Sequence, residues 1–285
     1  MLASSGTLAL LGAVFGGVGS AQGGTSATSG TSARSAAAVA TVTRASLSFN
    51  YPTAGQTVTS LVVGGAYASY VTAVVVTANA GRAVSVSNPG YTNAIDFPAY
   101  VPLAQSPPIA IVKMRSKTSS VDPLNGGYGS FTWRADFSLD DYLGNQAVDG
   151  DNLLQRGLSP QKQWKLSVDA HRVQCNVRIN PSGPVVKTPL ITIPFKTTNV
   201  RWYRAFCNRS ATGVLSIRVY AYSNASHAWV SFASGTAPGS AAGSLNFNYL
   251  VPVTVGGKLK DTGAVAFPTP DQFNGQVDNV LLTEP

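Results

Sequence analysis

The chain has 285 residues, of which 44% are hydrophobic, 9% aromatic and only 11% charged, with a net charge of +8. The apolar fraction supports a packed core and excludes wholesale disorder, and the length suits one large domain or two small ones. Of the 12 acidic residues 11 are Asp, the only Glu is Glu284, and there are 2 His and 2 Cys. That leaves little equipment for acid–base, zinc or redox chemistry.

Residues 1–22 read as an export signal peptide. Leu8–Val18 is an uncharged apolar run, and Gly19 and Ala21 form a small-x-small pattern before Gln22. The run falls short of the roughly 20 apolar residues that span a bilayer, and no later stretch could cross one, so membrane insertion is not expected. The segment departs from the usual pattern in having no basic residue before Arg34. Residues 23–43, rich in Ala, Ser, Thr and Gly, read as a flexible spacer. Together these features place the mature protein outside the cell.

From residue 44 the apolar period is 2, the period of strands with one buried face. Ala45, Leu47 and Phe49 alternate with Ser46 and Ser48. Strands follow at Thr72–Thr77 and Ile109–Met114. In the clearest run Phe131, Trp133, Ala135, Phe137 and Leu139 alternate with Thr132, Arg134, Asp136, Ser138 and Asp140. Asn152–Arg156 is next. Trp164, Leu166 and Val168 then alternate with Lys165, Ser167 and Asp169, and Val173, Cys175, Val177 and Ile179 with Gln174, Asn176, Arg178 and Asn180. Leu190–Ile193, Trp202–Cys207, Trp229–Phe232 and Gly275–Leu282 are further strands. Between them Leu215, Ile217, Val219 and Ala221 alternate with Ser216, Arg218, Tyr220 and Tyr222. Asn88-Pro89-Gly90, Asn125-Gly126-Gly127, Asn180-Pro181 and Gly256-Gly257 are turn signals. No amphipathic helix longer than a turn or two is present. The pattern predicts an all-β fold, a two-sheet antiparallel β-sandwich over 44–285, with a weak internal boundary near Ser116–Gly127.

An even pair of cysteines in an exported chain favours a Cys175–Cys207 disulfide. Cys175 shares an apolar face with Val173 and Val177, and Cys207 shares one with Tyr203 and Ala205. The Cα separation a bridge needs, about 4.4–6.8 Å, is one that neighbouring strands provide.

Several segments resemble the laminin-G-like domains of the concanavalin A-like lectin/glucanase superfamily. Phe131-Thr-Trp-Arg-Ala-Asp-Phe, Asp149-Gly-Asp-Asn-Leu-Leu-Gln-Arg-Gly157 and Gln163-Trp-Lys-Leu-Ser-Val-Asp169 look like their central strands. Arg172-Val-Gln-Cys-Asn-Val-Arg178 and Arg201-Trp-Tyr-Arg-Ala-Phe-Cys207 look like the two cysteine strands, and Phe273-Asn-Gly-Gln-Val-Asp-Asn-Val280 like the closing strand. The similarity covers roughly 128–282 and is greatest to secreted laminin-G-like proteins of actinobacteria. It implies a jelly-roll scaffold, and a scaffold does not fix function.

Glycosidases of that superfamily resemble one another in two Glu four residues apart, with an Asp between. Retaining glycoside hydrolysis needs two carboxyl groups about 5 Å apart. Asp136 and Asp140, four apart on one face, lie about 13 Å apart at 3.3 Å per residue. Polysaccharide lyases of similar shape use Tyr, His, Arg and an amide instead; His171 and His227 sit beside turns, and none of the lyases' motif strings is present. Asp149 and Asp151, with Asn152, form a weak calcium candidate, since calcium takes six to eight oxygens and these residues are also ordinary turn formers. No other cofactor is implied.

Charge is unevenly spread. Residues 156–218 hold 11 basic residues and one acid, Asp169, a net +10, while the remainder holds 9 basic and 11 acidic residues, a net −2. This suggests an electropositive face. Arg218, Tyr220 and Tyr222 share the polar side of one strand, and such side chains stack on and hydrogen-bond to sugars. Arg204 is a further candidate. Its place, like those of Arg156, Lys165 and Arg178, depends on strand order, which the sequence leaves open. The expected role is a secreted, non-catalytic binding module for a polysaccharide or an anionic cell-surface polymer. A lyase and a purely structural or adhesive surface protein are the alternatives, and nucleic acid is not an expected partner.

Overall fold

The computed structural model describes residues 41–49, 53–88, 91, 93–99, 101, 106–140, 151–169, 171–194 and 200–284. The expected export signal and nearly all of the expected spacer lie outside the described residues. The strands in chain order are β1 (Val42–Leu47), β2 (Ser60–Leu61), β3 (Val63–Gly64), β4 (Val71–Ala78), β5 (Val84–Ser87) and β6 (Asn93–Asp96). Then come β7 (Ile109–Ser116), β8 (Phe131–Leu139), β9 (Asp151–Arg156), β10 (Gln163–Asp169), β11 (Arg172–Arg178) and β12 (Val186–Lys187). The last are β13 (Ile191–Thr192), β14 (Val200–Arg209), β15 (Val214–Ser223), β16 (Ala228–Ser240), β17 (Val253–Val255) and β18 (Gly275–Glu284). Among the described residues the only helical element is a single 3-10 turn at Ala68–Tyr70, so no helix there is long and apolar enough to cross a membrane.

The strands form two antiparallel sheets packed face to face. Sheet A runs β16-β15-β14-β8-β18-β1-β3, with β6 also on β18 and β5 on β6. Sheet B runs β12-β11-β10-β9-β17-β7-β4-β2, with β13 also on β11. Strands preceding residue 116 enter both sheets, so the stretch 116–127 joins parts of one sandwich. β1 begins at Val42, slightly inside the expected spacer. The alternation fixes which side chains face in: Ala45, Leu47, Phe131, Trp133, Ala135 and Phe137 are all fully buried. Trp133 of sheet A meets Trp164 of sheet B with ring centroids 5.2 Å apart, and Phe131 packs on both. Truncating such a residue costs roughly 3–5 kcal/mol.

The cysteines are bonded, with Cα atoms 5.7 Å apart. The expected disulfide is present, and it joins strands of opposite sheets. Cys175 belongs to sheet B and Cys207 to sheet A, so the bridge pins the two sheets together through the core.

The 122–129 loop is held by three arginines from three strands. Arg156, fully buried, pairs with Asp122 at 2.6 Å, donates to Asn125 Oδ1 at 3.0 Å and lies over the Phe247 ring. Arg209, 1% exposed, donates to the carbonyls of Gly126 at 3.1 Å and Gly127 at 3.0 Å, and to that of Gly129. Arg44 donates to the Asn125 carbonyl at 2.9 Å and pairs with Glu284. The region that looked like a boundary in sequence is therefore tied to both sheets.

Two outcomes are expected. Cys175→Ala/Cys207→Ala loses about 3–4 kcal/mol in denaturant unfolding, as a 32-residue loop implies in the chain-entropy model. Arg156→Met loses about 3–5 kcal/mol, because it strands a buried Asp122 carboxylate. Adding Asp122→Asn recovers part of that loss, and a simple sum of the two single effects would contradict the pairing.

Candidate functional site

Strands β8, β14 and β15 are neighbours in sheet A, and their outward side chains line up in rows. Thr132, Asn208 and Ser216 form one row, Arg134, Phe206 and Arg218 the next, and Asp136, Arg204 and Tyr220 the third. The first row, with Phe206, Arg218 and Tyr220, lines a hollow of about 290 Å³. The Phe206 and Tyr220 rings stand 5.7 Å apart at 71°, and the Arg134 guanidinium lies 5.3 Å from the Phe206 ring centre. Asn208 donates to the Thr132 hydroxyl at 2.7 Å. Arg218 is exposed.

Two of the sequence-derived candidates are not free to meet a ligand here. Arg204 makes a two-pronged ion pair with Asp136, Nε to Oδ1 at 2.6 Å and Nη2 to Oδ2 at 2.6 Å. Its guanidinium also lies 4.2 Å from the Trp229 ring centre. Tyr222 is only 9% exposed and packs with Trp202 and Trp229 around Tyr91. Tyr91 stacks on Trp202 at 4.6 Å, meets Tyr222 and Trp229 edge-on, and donates to Asp136 at 2.6 Å. Asn279, with φ of 48°, donates to Asp136 at 3.2 Å and to Asp278 at 2.7 Å. Burial first, then the Asp136 carboxylate, pushes the Tyr91 phenol far above its usual pKa. This cluster is a small second core on the outer face of the sheet, and it explains why a strand face read as polar carries a buried Tyr222. Tyr91 follows a turn and belongs to no alternating run, so period gives no sign of it; its neighbour Trp229 was legible only as a strand residue.

The basic segment does not form one face. Arg156 and Arg209 are buried, and Arg204 is paired. Lys165, Arg172, Arg178 and Lys187 lie on β10, β11 and β12 of sheet B, Arg201 and Arg218 lie on β14 and β15 of sheet A, and Lys162, just before β10, donates to the Asn246 carbonyl at 3.1 Å. Lys196 lies outside the described residues. Of the calcium candidates, Asp149 also lies outside them. Asp151 opens β9, and the neighbouring Asn152 is a buried strand residue donating to Asp271 at 2.9 Å. His171 and His227 occupy left-handed turn positions, φ 65° and 50°, and neither lines the hollow.

No protein-family model matches the chain, and no curated protein matches it. Solved structures do resemble it. The binding domain of Paraclostridial Mosquitocidal Protein 1 is 11% identical with a TM-score of 0.51, over 85% of this chain and 48% of that one. The botulinum neurotoxin serotype G binding domain is 10% identical with a TM-score of 0.50, over 84% and 47%. The binding domain of botulinum neurotoxin DC, in complex with rat synaptotagmin II, is 11% identical with a TM-score of 0.50, over 85% and 48%. The chain spans about half the length of the structures it matches. At these identities the likeness shows the fold, a two-sheet antiparallel β-sandwich.

The Asp278 carboxyl beside this cluster accepts from the Phe49 amide at 3.1 Å, and burial raises its pKa from 3.8 to about 6. A carboxyl raised in the folded state binds its proton more tightly there, so it subtracts stability as pH climbs from about 4 to about 6. Asp96, also raised by burial to about 6, acts in the same sense. Asp278→Asn should therefore gain melting temperature relative to the wild type over that interval, Asp96 being common to both. A difference that stays constant from pH 4 to pH 7 would contradict this.

Proposed function

We propose that the chain is a secreted, non-catalytic glycan-binding module of laminin-G-like type, with the hollow of sheet A as its sugar seat. The carrying observation is the meeting of two inclined aromatic rings, Phe206 and Tyr220, with Arg218 and Asn208 in one recess. The apolar face of a sugar ring packs on aromatic carbon, while guanidinium and amide groups hydrogen-bond its hydroxyl or acid groups. No carboxylate lines the recess, so it offers no pair for glycoside hydrolysis. Motif order supports the laminin-G-like assignment. The apolar leader and the cross-sheet disulfide support an extracellular location. The structures of like fold are themselves named as binding domains, which agrees with a binding role.

The test is a glycan-array screen of the mature protein, followed by titration of the best ligand. Arg218→Ala should weaken binding about tenfold or more, the worth of a charged hydrogen bond. Tyr220→Ala should weaken it with less dependence on salt, since stacking is not screened. Equal binding by wild type and an Arg218→Ala/Tyr220→Ala double variant would remove the hollow from the account. Release of unsaturated products from a uronate polymer would replace the binding role with a lyase.

A further inference from the structure

Sheet B presents its own outer surface, across the core from the hollow. Trp164, Leu166, Val168, Val173, Cys175 and Val177 are buried, so the intervening residues of β10 and β11 face out. Register places Gln155, Lys165, Asn176 and Lys187 in one row across β9, β10, β11 and β12. With strands about 4.8 Å apart, the Lys165 and Lys187 backbones are about 10 Å apart along that row. The loop after β17 carries Lys258 and Lys260 to one side.

These elements enclose a groove of about 700 Å³. Its cations are Lys165, Arg172, Arg178, Lys187, Lys258 and Lys260, and its acids are Asp169 and Asp271. Six cations against two acids leave +4. The acids are already engaged: Asp169 faces Arg172 at 3.5 Å, and Asp271 pairs with Lys258 at 2.8 Å. Lys165 and Lys187 make no hydrogen bond or ion pair among the described residues. Burial presses the Lys165 ammonium pKa down, the nearby Asp271 pulls it up, and Lys258 and Lys187 add smaller downward pushes, which a bound anion would offset. The amides of Gln155, Gln163, Gln174 and Asn176 also line the groove, and Phe267 is its one aromatic. Amides match sugar hydroxyls, whereas a single-stranded nucleic acid needs stacking platforms.

We propose that this groove is a second binding site, separate from the hollow, for an acidic polysaccharide laid across the strands. Acid groups on the polymer meet Lys165 and Lys187, and its hydroxyls meet the amide-lined floor. Four cations of the 156–218 segment, Lys165, Arg172, Arg178 and Lys187, thus serve a ligand on the sheet opposite Arg218.

The experiment titrates the full chain with polygalacturonate, heparin, dextran and single-stranded DNA, for the wild type, Lys165→Ala/Lys187→Ala and Arg218→Ala/Tyr220→Ala. The proposal expects the wild type to bind polygalacturonate or heparin but not dextran at this site. The lysine pair variant should lose about tenfold or more in affinity, and the hollow variant should keep the wild-type value. A preference between the two polymers tells carboxylate from sulfate recognition. Unchanged melting of Lys187→Ala alone, an exposed position, with a smaller loss of affinity, separates binding from folding. The proposal is overturned if the wild type binds neither acidic polymer, if DNA binds more tightly than both, or if the lysine variant binds as well as the wild type. Loss of acidic-polymer binding in the hollow variant alone would overturn it in favour of the sheet A recess. Failure of neutral glycans to bind anywhere would count against the hollow and leave the groove standing.

Discussion

A covalent bond between the inner faces of the two sheets decides what each sheet can show to solvent. Cys175 and Cys207 both point into the core. Since side chains alternate along a strand, a register slip of one residue would turn every inward group outward. The bridge forbids that slip on β11 and β14. Ladder pairing carries the constraint onward, from Cys175 to Leu166 in sheet B and from Cys207 to Trp133 and Ile217 in sheet A. The outward rows of both sheets follow from it.

Those rows differ in chemistry. Sheet A shows aromatic side chains, with Asp136 sealed under Tyr91 and Arg204. Sheet B shows lysines and amides. Several arginines that count as positive charge in the sequence contribute none to either surface. Arg156 and Arg209 are spent on carbonyl, amide and carboxylate oxygens of the interior, and Arg204 on Asp136. A buried arginine tolerates this because its planar fork can satisfy several acceptors at once. It ties the 122–129 loop to both sheets through hydrogen bonds and an ion pair.

Much of this was legible in the sequence. The runs at 131–139, 163–169, 172–178 and 215–222 gave the inward faces because each alternates an apolar with a polar side. The pairing of the cysteines was legible too, but not that it crosses between sheets, because alternation says nothing about strand order. The same gap hid the division of the basic segment. Parity also marks two arginines: Arg209 continues the inward parity of Tyr203, Ala205 and Cys207, and Arg156 follows Leu154 by two. Both are thereby marked as interior residues. Val253–Val255 is only three residues long and directly follows Pro252, so its Val-Thr-Val alternation is too short to stand out, and Thr254 is buried along with its neighbours. Likewise β16 runs on to Ser240 through Gly and Pro residues, which by composition look like loop.

The central claim is that the two outer faces are separate surfaces, with acidic polymer confined to sheet B. The most direct measurement is a residue-resolved footprint: nitrogen-15-labelled protein titrated with polygalacturonate, with backbone amide shifts followed across both sheets. The account predicts shifts concentrated at Gln155, Lys165, Asn176 and Lys187 and the 258–271 loop, with Phe206, Arg218 and Tyr220 unmoved. Shifts centred on β14 and β15, with the sheet B row silent, would contradict it.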